Sequence, residues 1–176
     1  MRIWLVRHAP VAVKGLCYGQ HDVPCTMSPT AAAEEVAARL PLDLRELWCS
    51  PWTRARAVAE ELSRRLQLPH RVDSRLSELH MGEFEGRTFL ELEREPAFSA
   101  WMRDWRTSAP PGGETLAQLA ARVAAWKRER DELREGALLA FTHAGPIRAL
   151  RALARGMSLE NALAAPVEHL VPEELE

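Results

Sequence analysis

Two histidines, each behind an apolar run, are the strongest candidates for chemistry in this sequence. His8 stands directly after Arg7 and the apolar residues 3–6, and His143 follows Thr142 and the apolar residues 137–141. A neutral imidazole has a free lone pair near neutral pH and can attack phosphorus. The forked guanidinium of Arg7 can hold phosphoryl oxygens. Two such histidines together with an adjacent arginine favour phosphoryl transfer. Each histidine alone also fits the polar end of a strand with no chemical role.

Two further segments supply an arginine and carboxylates. The stretch from Ser50 to Arg56 brings Arg54 close to a predicted helix start, and the polar loop 76–87 carries Glu78 and Glu83. A phosphomonoesterase needs an acid that protonates the leaving oxygen, and either glutamate could supply it. Helical arginines and charged loops are also common on protein surfaces, so each segment alone fits a structural role as well.

The elements that position these residues alternate between strands and helices. Apolar runs predict strands over 2–6, 46–49, 70–73 and 137–141, with an edge strand over 167–171. Helices are predicted from Pro96, over 116–126 and from Gly145-Pro146. Two more are predicted at Ser28-Pro29 and Ser50-Pro51, where each serine would be the N-cap and each proline the first helical residue. This order predicts an α/β fold, a three-layer sandwich with a mostly parallel central sheet flanked by helices. Because ligands bind outside the carboxyl ends of such strands, His8 and His143 should share one rim.

The helix predicted from Pro96 carries Phe98, Trp101, Met102 and Trp105 at helical spacing. Helix packing is the simpler interpretation of the tryptophans, and a lid over an aromatic substrate is the alternative.

Residues 9–28 contain two prolines and two glycines, which predict a long loop.

Length and composition limit the alternatives. The chain has 176 residues, and we expect one domain over 1–176. The Pro-Pro-Gly-Gly stretch at 110–113 could instead be a linker between two domains, but the second half would then be small for an independent core. A formal net charge of −2 provides no basic field for nucleic acid. No apolar run is long enough for a membrane span. Three cysteines without metal-binding spacing fit reduced thiols in a cytoplasm.

Taken in order, six motifs resemble the histidine phosphatase superfamily, with its phosphoglycerate-mutase-like fold. They are Arg7-His8, Gly19-x-x-Asp22, Ser50-Pro51-x-x-Arg54-Ala55, the glutamate loop ending Glu85-Gly86, Pro-Pro-Gly-Gly-Glu at 110–114, and Thr142-His143-x-Gly145. Residues 15–22 look most like the short bacterial α-ribazole-phosphate phosphatase branch.

The resemblance implies a metal-independent phosphomonoesterase without a cofactor, acting on a small phosphorylated metabolite. His8 would be the nucleophile that becomes phosphohistidine. Glu78 would protonate the leaving group and then activate water, with Glu83 as the alternative acid. The implied contacts to the substrate are Arg7, Arg54, His143, Ala144, Tyr18 and Gly19. The substrate would be α-ribazole 5′-phosphate, and the protein a monomer or homodimer.

Two departures from the family pattern leave other functions open. The usual Arg-His-Gly-Glu-Ser/Thr reads Arg7-His8-Ala9-Pro10-Val11 here, which removes a hydroxyl, and Thr-His-Gly-Gly has Ala144 at its third position. A phosphoglycerate mutase of the same fold is one alternative, although the chain is short for it. A catalytically degenerate module that only binds phosphate is the other.

Overall fold

A computed structural model describes residues 2–132 and 136–176 and contains one five-stranded sheet. Its strands are β1 (Arg2–Arg7), β2 (Leu44–Cys49), β3 (His70–Val72), β4 (Ala137–Thr142) and β5 (Glu173–Glu174), in the order β3-β2-β4-β1-β5. All neighbours run parallel except β5, which is antiparallel to β1. This confirms the predicted mostly parallel sheet. Arg7 lies opposite Thr142 in the β1–β4 register, so the residues that follow both strands emerge side by side.

Helices cover both faces of the sheet and complete the predicted three layers. The helices of the described residues are α1 (Pro29–Ala37), α2 (Thr53–Leu66), α3 (Phe89–Leu92), α4 (Pro96–Arg103), α5 (Leu116–Asp131), α6 (Ala144–Arg155) and α7 (Leu159–Ala164). The helices α1 and α2 pack on one face of the sheet and α5 and α6 on the other. The side chains of β4 alternate: Leu138 and Ala140 pack with α5 and α6, whereas Leu139 and Phe141 pack with α1 and α2. Burial on both faces explains why β4 is apolar throughout.

The predicted helix caps divide into one that is right and one that is wrong. Ser28 caps α1, its hydroxyl accepting from the Ala31 amide at 3.2 Å. Ser50 does not cap α2, which begins at Thr53 with Trp52 at the cap position. Instead, the buried Ser50 hydroxyl lies 2.8 Å from Nε2 of His143. The hydroxyl that the local pattern predicted as a helix cap therefore makes a long-range hydrogen bond.

Two further boundaries differ from the predictions. The edge strand over 167–171 is wrong, because Leu170 adopts a left-handed φ of 58° that ends extended structure, and the edge is formed by Glu173–Glu174 instead. The helix begun by Pro96 ends at Arg103, so Trp105 lies beyond it. The Asp104 carboxylate accepts hydrogen bonds from the hydroxyls of Thr107 and Ser108, and these bonds stabilise a turn after the helix.

A smaller apolar cluster lies apart from the two faces of the sheet. Its buried members are Cys17, Phe84, Leu92 and Phe98, with Met81 and Trp101 packed against them. It joins the loop before α1 to α3 and α4. The three cysteines are free thiols. Within the described residues, no helix is long and apolar enough to cross a membrane.

Candidate active site

The carboxyl ends of β1 and β4 bring the two predicted histidines together. The ring centroids of His8 and His143 are 5.1 Å apart, and both side chains are almost completely buried. The His8 amide donates to the Thr142 carbonyl at 3.1 Å, which extends the strand ladder by one residue. The shared rim expected from the strand order is therefore present, although 135 positions separate the two residues.

His8 has the protonation pattern that a nucleophile needs. Its Nδ1 lies 2.7 Å from the carbonyl oxygen of Ala9. Because a carbonyl only accepts, Nδ1 carries the hydrogen and Nε2 keeps its lone pair. Burial, together with the charges of Arg54 and Arg7, lowers the pKa of His8 to about 3, against the opposing effect of the Ala9 hydrogen bond. The imidazole therefore stays neutral around neutral pH.

Arg54 is a buried cation at the start of α2 with donors to spare. Its Nε donates to Nδ1 of His143 at 3.3 Å, and its terminal nitrogens donate to the carbonyls of His21 at 2.9 Å and Gly19 at 2.5 Å. A guanidinium has five N–H donors, so these contacts leave two for a ligand. Fixed in this way, Arg54 is suited to hold phosphoryl oxygens.

His143 is positioned by the groups on either side of its ring. Because Nδ1 accepts from Arg54, the hydrogen lies on Nε2 and donates to Ser50. Both ring nitrogens are thus committed to protein groups in this structure. The observed contribution of His143 is to orient Arg54, and its direct contact with a phosphoryl group stays a prediction.

Arg7 brings a second guanidinium to the same strand end. One terminal nitrogen donates to the carbonyl of Val167 at 2.9 Å. Its Nε is buried and has no hydrogen-bond partner among the described residues. The charge of Arg7 is near enough to His8 to help depress that histidine's pKa. The site therefore holds two arginines beside one neutral histidine.

Glu78 lies at the N-terminus of α6. Its carboxylate accepts from the Leu79 amide at 2.8 Å and from the Gly145 amide at 3.2 Å to each oxygen. A Cβ at Gly145 would clash with Glu78 Oε1, so only glycine lets the carboxylate lie this close. Glu83 is exposed, and its amide bonds the carbonyl of Pro111. Of the two predicted acids, Glu78 is the one that contacts the Thr142-His143-x-Gly145 motif, and its charge acts on Arg54.

Comparison with known proteins decides the family. The family model for the histidine phosphatase superfamily, branch 1, matches residues 3–171. The chain belongs to the histidine phosphatase superfamily.

Individual relatives of this histidine phosphatase carry related names. It is 32% identical over 130 residues to the adenosylcobalamin/alpha-ribazole phosphatase of Salmonella typhimurium, covering 70% of this chain and 63% of that protein. The Escherichia coli protein of the same name is 30% identical over 168 residues, covering 91% and 82%. The crystal structure of the alpha-ribazole phosphatase from Shigella flexneri has a TM-score of 0.88 and 28% identity, covering 99% of this chain and 89% of that one.

A cavity of about 440 Å³ opens beside Glu78 and the first turn of α6, which follows His143 in the phosphatase. Aromatic and aliphatic side chains form most of its wall, from Tyr18, Met81, Phe89, Trp101, Trp105 and Leu159. Two charged residues, Glu78 and Arg148, also line it. Glu78 and Gly145, which are hydrogen-bonded to each other, both line this cavity and connect it to the end of β4. Trp101 and Trp105 both line this cavity, and the lid interpretation stays a prediction.

The remaining predicted contacts lie around the same two regions of the phosphatase. The Tyr18 ring lies 5.3 Å from the Arg54 guanidinium and faces the cavity. Gly19 lines the cavity too, but its visible contribution is the carbonyl that holds Arg54; a Cβ there would clash with the Leu79 carbonyl. Ala144 is the first residue of α6, where an amide lacks a helical acceptor.

Sequence reasoning missed three residues of this histidine phosphatase site. Ser50 was assigned to a helix cap, His169 had no motif around it, and Arg148 was not singled out. In the structure the His169 ring centroid lies 5.4 Å from that of His8, and Arg148 lines the cavity beside Glu78. Arg148 follows Gly145 by three positions, so helical spacing from the Thr-His-x-Gly motif was the available signal for it.

Proposed function

We propose that this chain is a metal-independent phosphomonoesterase that works through a phosphohistidine at His8. The observation that carries the proposal is the fixed tautomer of His8: Nδ1 donates to Ala9, so the Nε2 lone pair is free beside Arg54 and Arg7. Phosphoryl transfer requires mainly that the reacting groups are positioned and that the charge on the phosphoryl oxygens is stabilised. The two guanidiniums supply that charge stabilisation.

The reaction then takes two steps. In the first, His8 Nε2 attacks phosphorus, the bond from phosphorus to the ester oxygen breaks, and Glu78 gives that oxygen a proton. In the second, Glu78 takes a proton from water, the water oxygen bonds to phosphorus, and the nitrogen–phosphorus bond breaks. Inorganic phosphate leaves, and the original protonation states of His8 and Glu78 are restored. Arg7 and Arg54 hold the oxygens throughout.

The cavity supports an ester whose alcohol carries an aromatic ring. Its volume lies within the usual range for small-molecule sites, and its wall is mostly aromatic and aliphatic. α-Ribazole 5′-phosphate has a benzimidazole on its ribose and suits such a wall, and the names of the Salmonella and Escherichia coli relatives support the same choice. We therefore propose α-ribazole 5′-phosphate as the substrate. The free thiols support a cytoplasmic location. We also propose that the protein is a monomer or homodimer.

The test is phosphate release from α-ribazole 5′-phosphate, ribose 5-phosphate and 3-phosphoglycerate, measured in the presence of a chelator. Ribose 5-phosphate is the matched control substrate because it lacks the base. Stacking on the aromatic wall should raise kcat/KM for the ribazole ester by about 10-fold or more. His8→Ala should abolish release, while His70→Ala, which changes an exposed histidine on β3, should retain it.

Each other outcome selects a different interpretation. Release that a chelator abolishes contradicts the metal-independent mechanism, and release that survives His8→Ala contradicts the phosphohistidine. Equal rates for the ribazole and ribose esters contradict the aromatic preference. Phosphate binding without release from any ester would instead favour the degenerate module, and stimulation by a bisphosphate with 3-phosphoglycerate would favour a mutase.

A further inference from the structure

A segment near the C-terminus crosses the end of β1 and is hydrogen-bonded to Arg7 and His8, two of the residues to which the proposed function assigns chemistry. Arg7 donates to the carbonyl of Val167 at 2.9 Å, and the Leu170 amide donates to the Arg7 carbonyl at 3.0 Å. Between these two bonds, Nδ1 of His169 lies 2.5 Å from the carbonyl oxygen of His8. Residues 167–170 thus hold the backbone on both sides of the His8 side chain.

The His169 ring has one protonation pattern that fits its contacts. The His8 carbonyl can only accept, so Nδ1 of His169 carries the hydrogen. The two rings lie edge to face, with centroids 5.4 Å apart and an angle of 63°. Burial and the Arg7 charge lower the pKa of His169, although its bond to the His8 carbonyl raises it. The net lowering favours the neutral ring. The packing of the two rings also restricts rotation of the His8 imidazole.

The held carbonyl belongs to the peptide unit that joins His8 to Ala9. The orientation of that unit sets where Ala9 lies, and Ala9 supplies the carbonyl that accepts from His8 Nδ1 at 2.7 Å. If the His8 carbonyl were free, this peptide could rotate and withdraw the Ala9 acceptor. His8 would then populate the tautomer with hydrogen on Nε2, which has no lone pair to attack phosphorus.

We propose that His169 is a positioning residue that fixes the tautomer and direction of the His8 imidazole by holding the His8 carbonyl. The catalytic part of this inference rests on the proposed function, whereas the structural part, one tautomer at His8, does not. The hydrogen-bond chain runs from His169 Nδ1 to His8 O, through one peptide unit to Ala9 O, and back to His8 Nδ1.

Three substitutions at this position separate the roles of the two ring nitrogens. In His169→Asn the amide nitrogen overlies Nδ1 and keeps the donor, whereas in His169→Gln it overlies Nε2; His169→Ala keeps neither. We expect His169→Asn to retain kcat within about 3-fold, and the other two to lose up to about 10²-fold, the cost of a misplaced reacting group. KM should change little, because Arg54 and the cavity are unaltered.

A readout independent of activity tests the structural part. Nitrogen-15 spectra of the histidine rings should show His8 with its hydrogen on Nδ1 in the wild type and His169→Asn, and a mixture of tautomers in His169→Ala and His169→Gln. Thermal unfolding of each variant would identify any that fails to fold; His169→Asn and His169→Gln remain a matched pair of equal polarity.

The outcomes separate this inference from the proposed function. A single His8 tautomer in all four proteins overturns the inference, and so does retention of kcat in His169→Gln with loss in His169→Asn, which would indicate a role for Nε2. If no protein releases phosphate but the tautomers change as expected, the proposed function fails and the positioning role stands.

Discussion

The buried floor of the site and the cavity beside it are built in different ways. The floor consists of polar side chains at the ends of β1 and β4 and the start of α2, together with Glu78, which is hydrogen-bonded to the start of α6. His8, Arg54 and His143 are each almost fully buried there. Each of them is held by hydrogen bonds to neighbours. The cavity wall consists mostly of aromatic and aliphatic side chains, which come from loops, from the turn after α4 and from the helices α3, α4, α5 and α7. Some of these side chains, such as Phe89, are substantially exposed.

This difference assigns separate tasks to the two regions. The floor can stabilise charge on a phosphoryl group only if its donors are held in advance, and a central sheet provides that rigidity. The cavity contacts the part of a substrate that does not react, so its shape can differ without disturbing the floor. Changes in the floor should therefore lower turnover of every ester alike, whereas changes in the wall should alter the preference among esters.

The largest effect on the floor, apart from loss of His8, is expected from Glu78→Gln. The amide keeps the shape of the side chain but cannot transfer the proton, so kcat should fall by about 10²-fold or more for both ribazole and ribose esters. Glu83→Gln is the matched control, since Glu83 is exposed and does not line the cavity. A large loss in Glu83→Gln with a small one in Glu78→Gln would assign the acid to the other glutamate.

Gly145→Ala tests whether the position of this carboxylate matters as well as its presence. The added Cβ would displace Glu78 Oε1, and we expect kcat to fall by about 10-fold or more. The unfolding temperature should change less, because alanine in a helix regains up to about 1 kcal/mol relative to glycine. In a Glu78→Gln background the substitution should cost little further activity. Additive losses would show that Gly145 acts independently of Glu78.

How much of the floor the sequence predicts depends on whether its signals are local. β1 and β4 are continuous apolar runs, so their ends, and with them His8 and His143, follow from the sequence. Ser50 carries a local cap signal, but its hydroxyl is taken by a residue 93 positions away. His169 has no local signal, because its role depends on how a C-terminal segment crosses β1. Long-range packing decides such positions, and no short pattern encodes it.

The wall is harder still to predict from the sequence. Trp101 and Trp105 have the spacing of a packed helix face, and Trp101 does pack against Phe84 and Phe98. Trp105 follows the end of α4, where helical spacing no longer applies, and reaches the cavity through a turn. A turn of this kind is fixed by side-chain contacts of Asp104 that periodicity does not reveal.

Trp105→Ala should alter preference and leave the chemistry intact. Loss of the indole from the wall should lower kcat/KM for α-ribazole 5′-phosphate by about 10-fold and leave ribose 5-phosphate nearly unchanged. Met102→Ala is the control, since Met102 is 49% exposed and does not line the cavity. Equal losses for the two esters would mean that Trp105 supports the floor, and the proposed division between floor and wall would then fail.

The smallest effect is a pH dependence of stability that arises from the floor alone. The pKa of His8 is about 3 in the folded protein against an ordinary 6.5, so between these values the unfolded chain binds a proton that the folded chain does not. The free energy of unfolding should therefore fall as pH falls from 6.5 towards 3, by at most about 1.4 kcal/mol per pH unit for this histidine. His143 acts in the same direction, because burial and Arg54 lower its pKa as well.

Denaturant unfolding of the wild type and His8→Asn between pH 7.5 and 5 isolates this contribution. All other titrating groups are common to both proteins, so the difference between their slopes belongs to His8 and to its effect on the pKa of His143. The variant should lose less stability on acidification, even if it is less stable at pH 7.5. Identical slopes would mean that His8 takes up its proton in the folded state at an ordinary pH. The floor would then present a charged imidazole below pH 6.5, which has no lone pair to attack phosphorus, and turnover would decline over the same range.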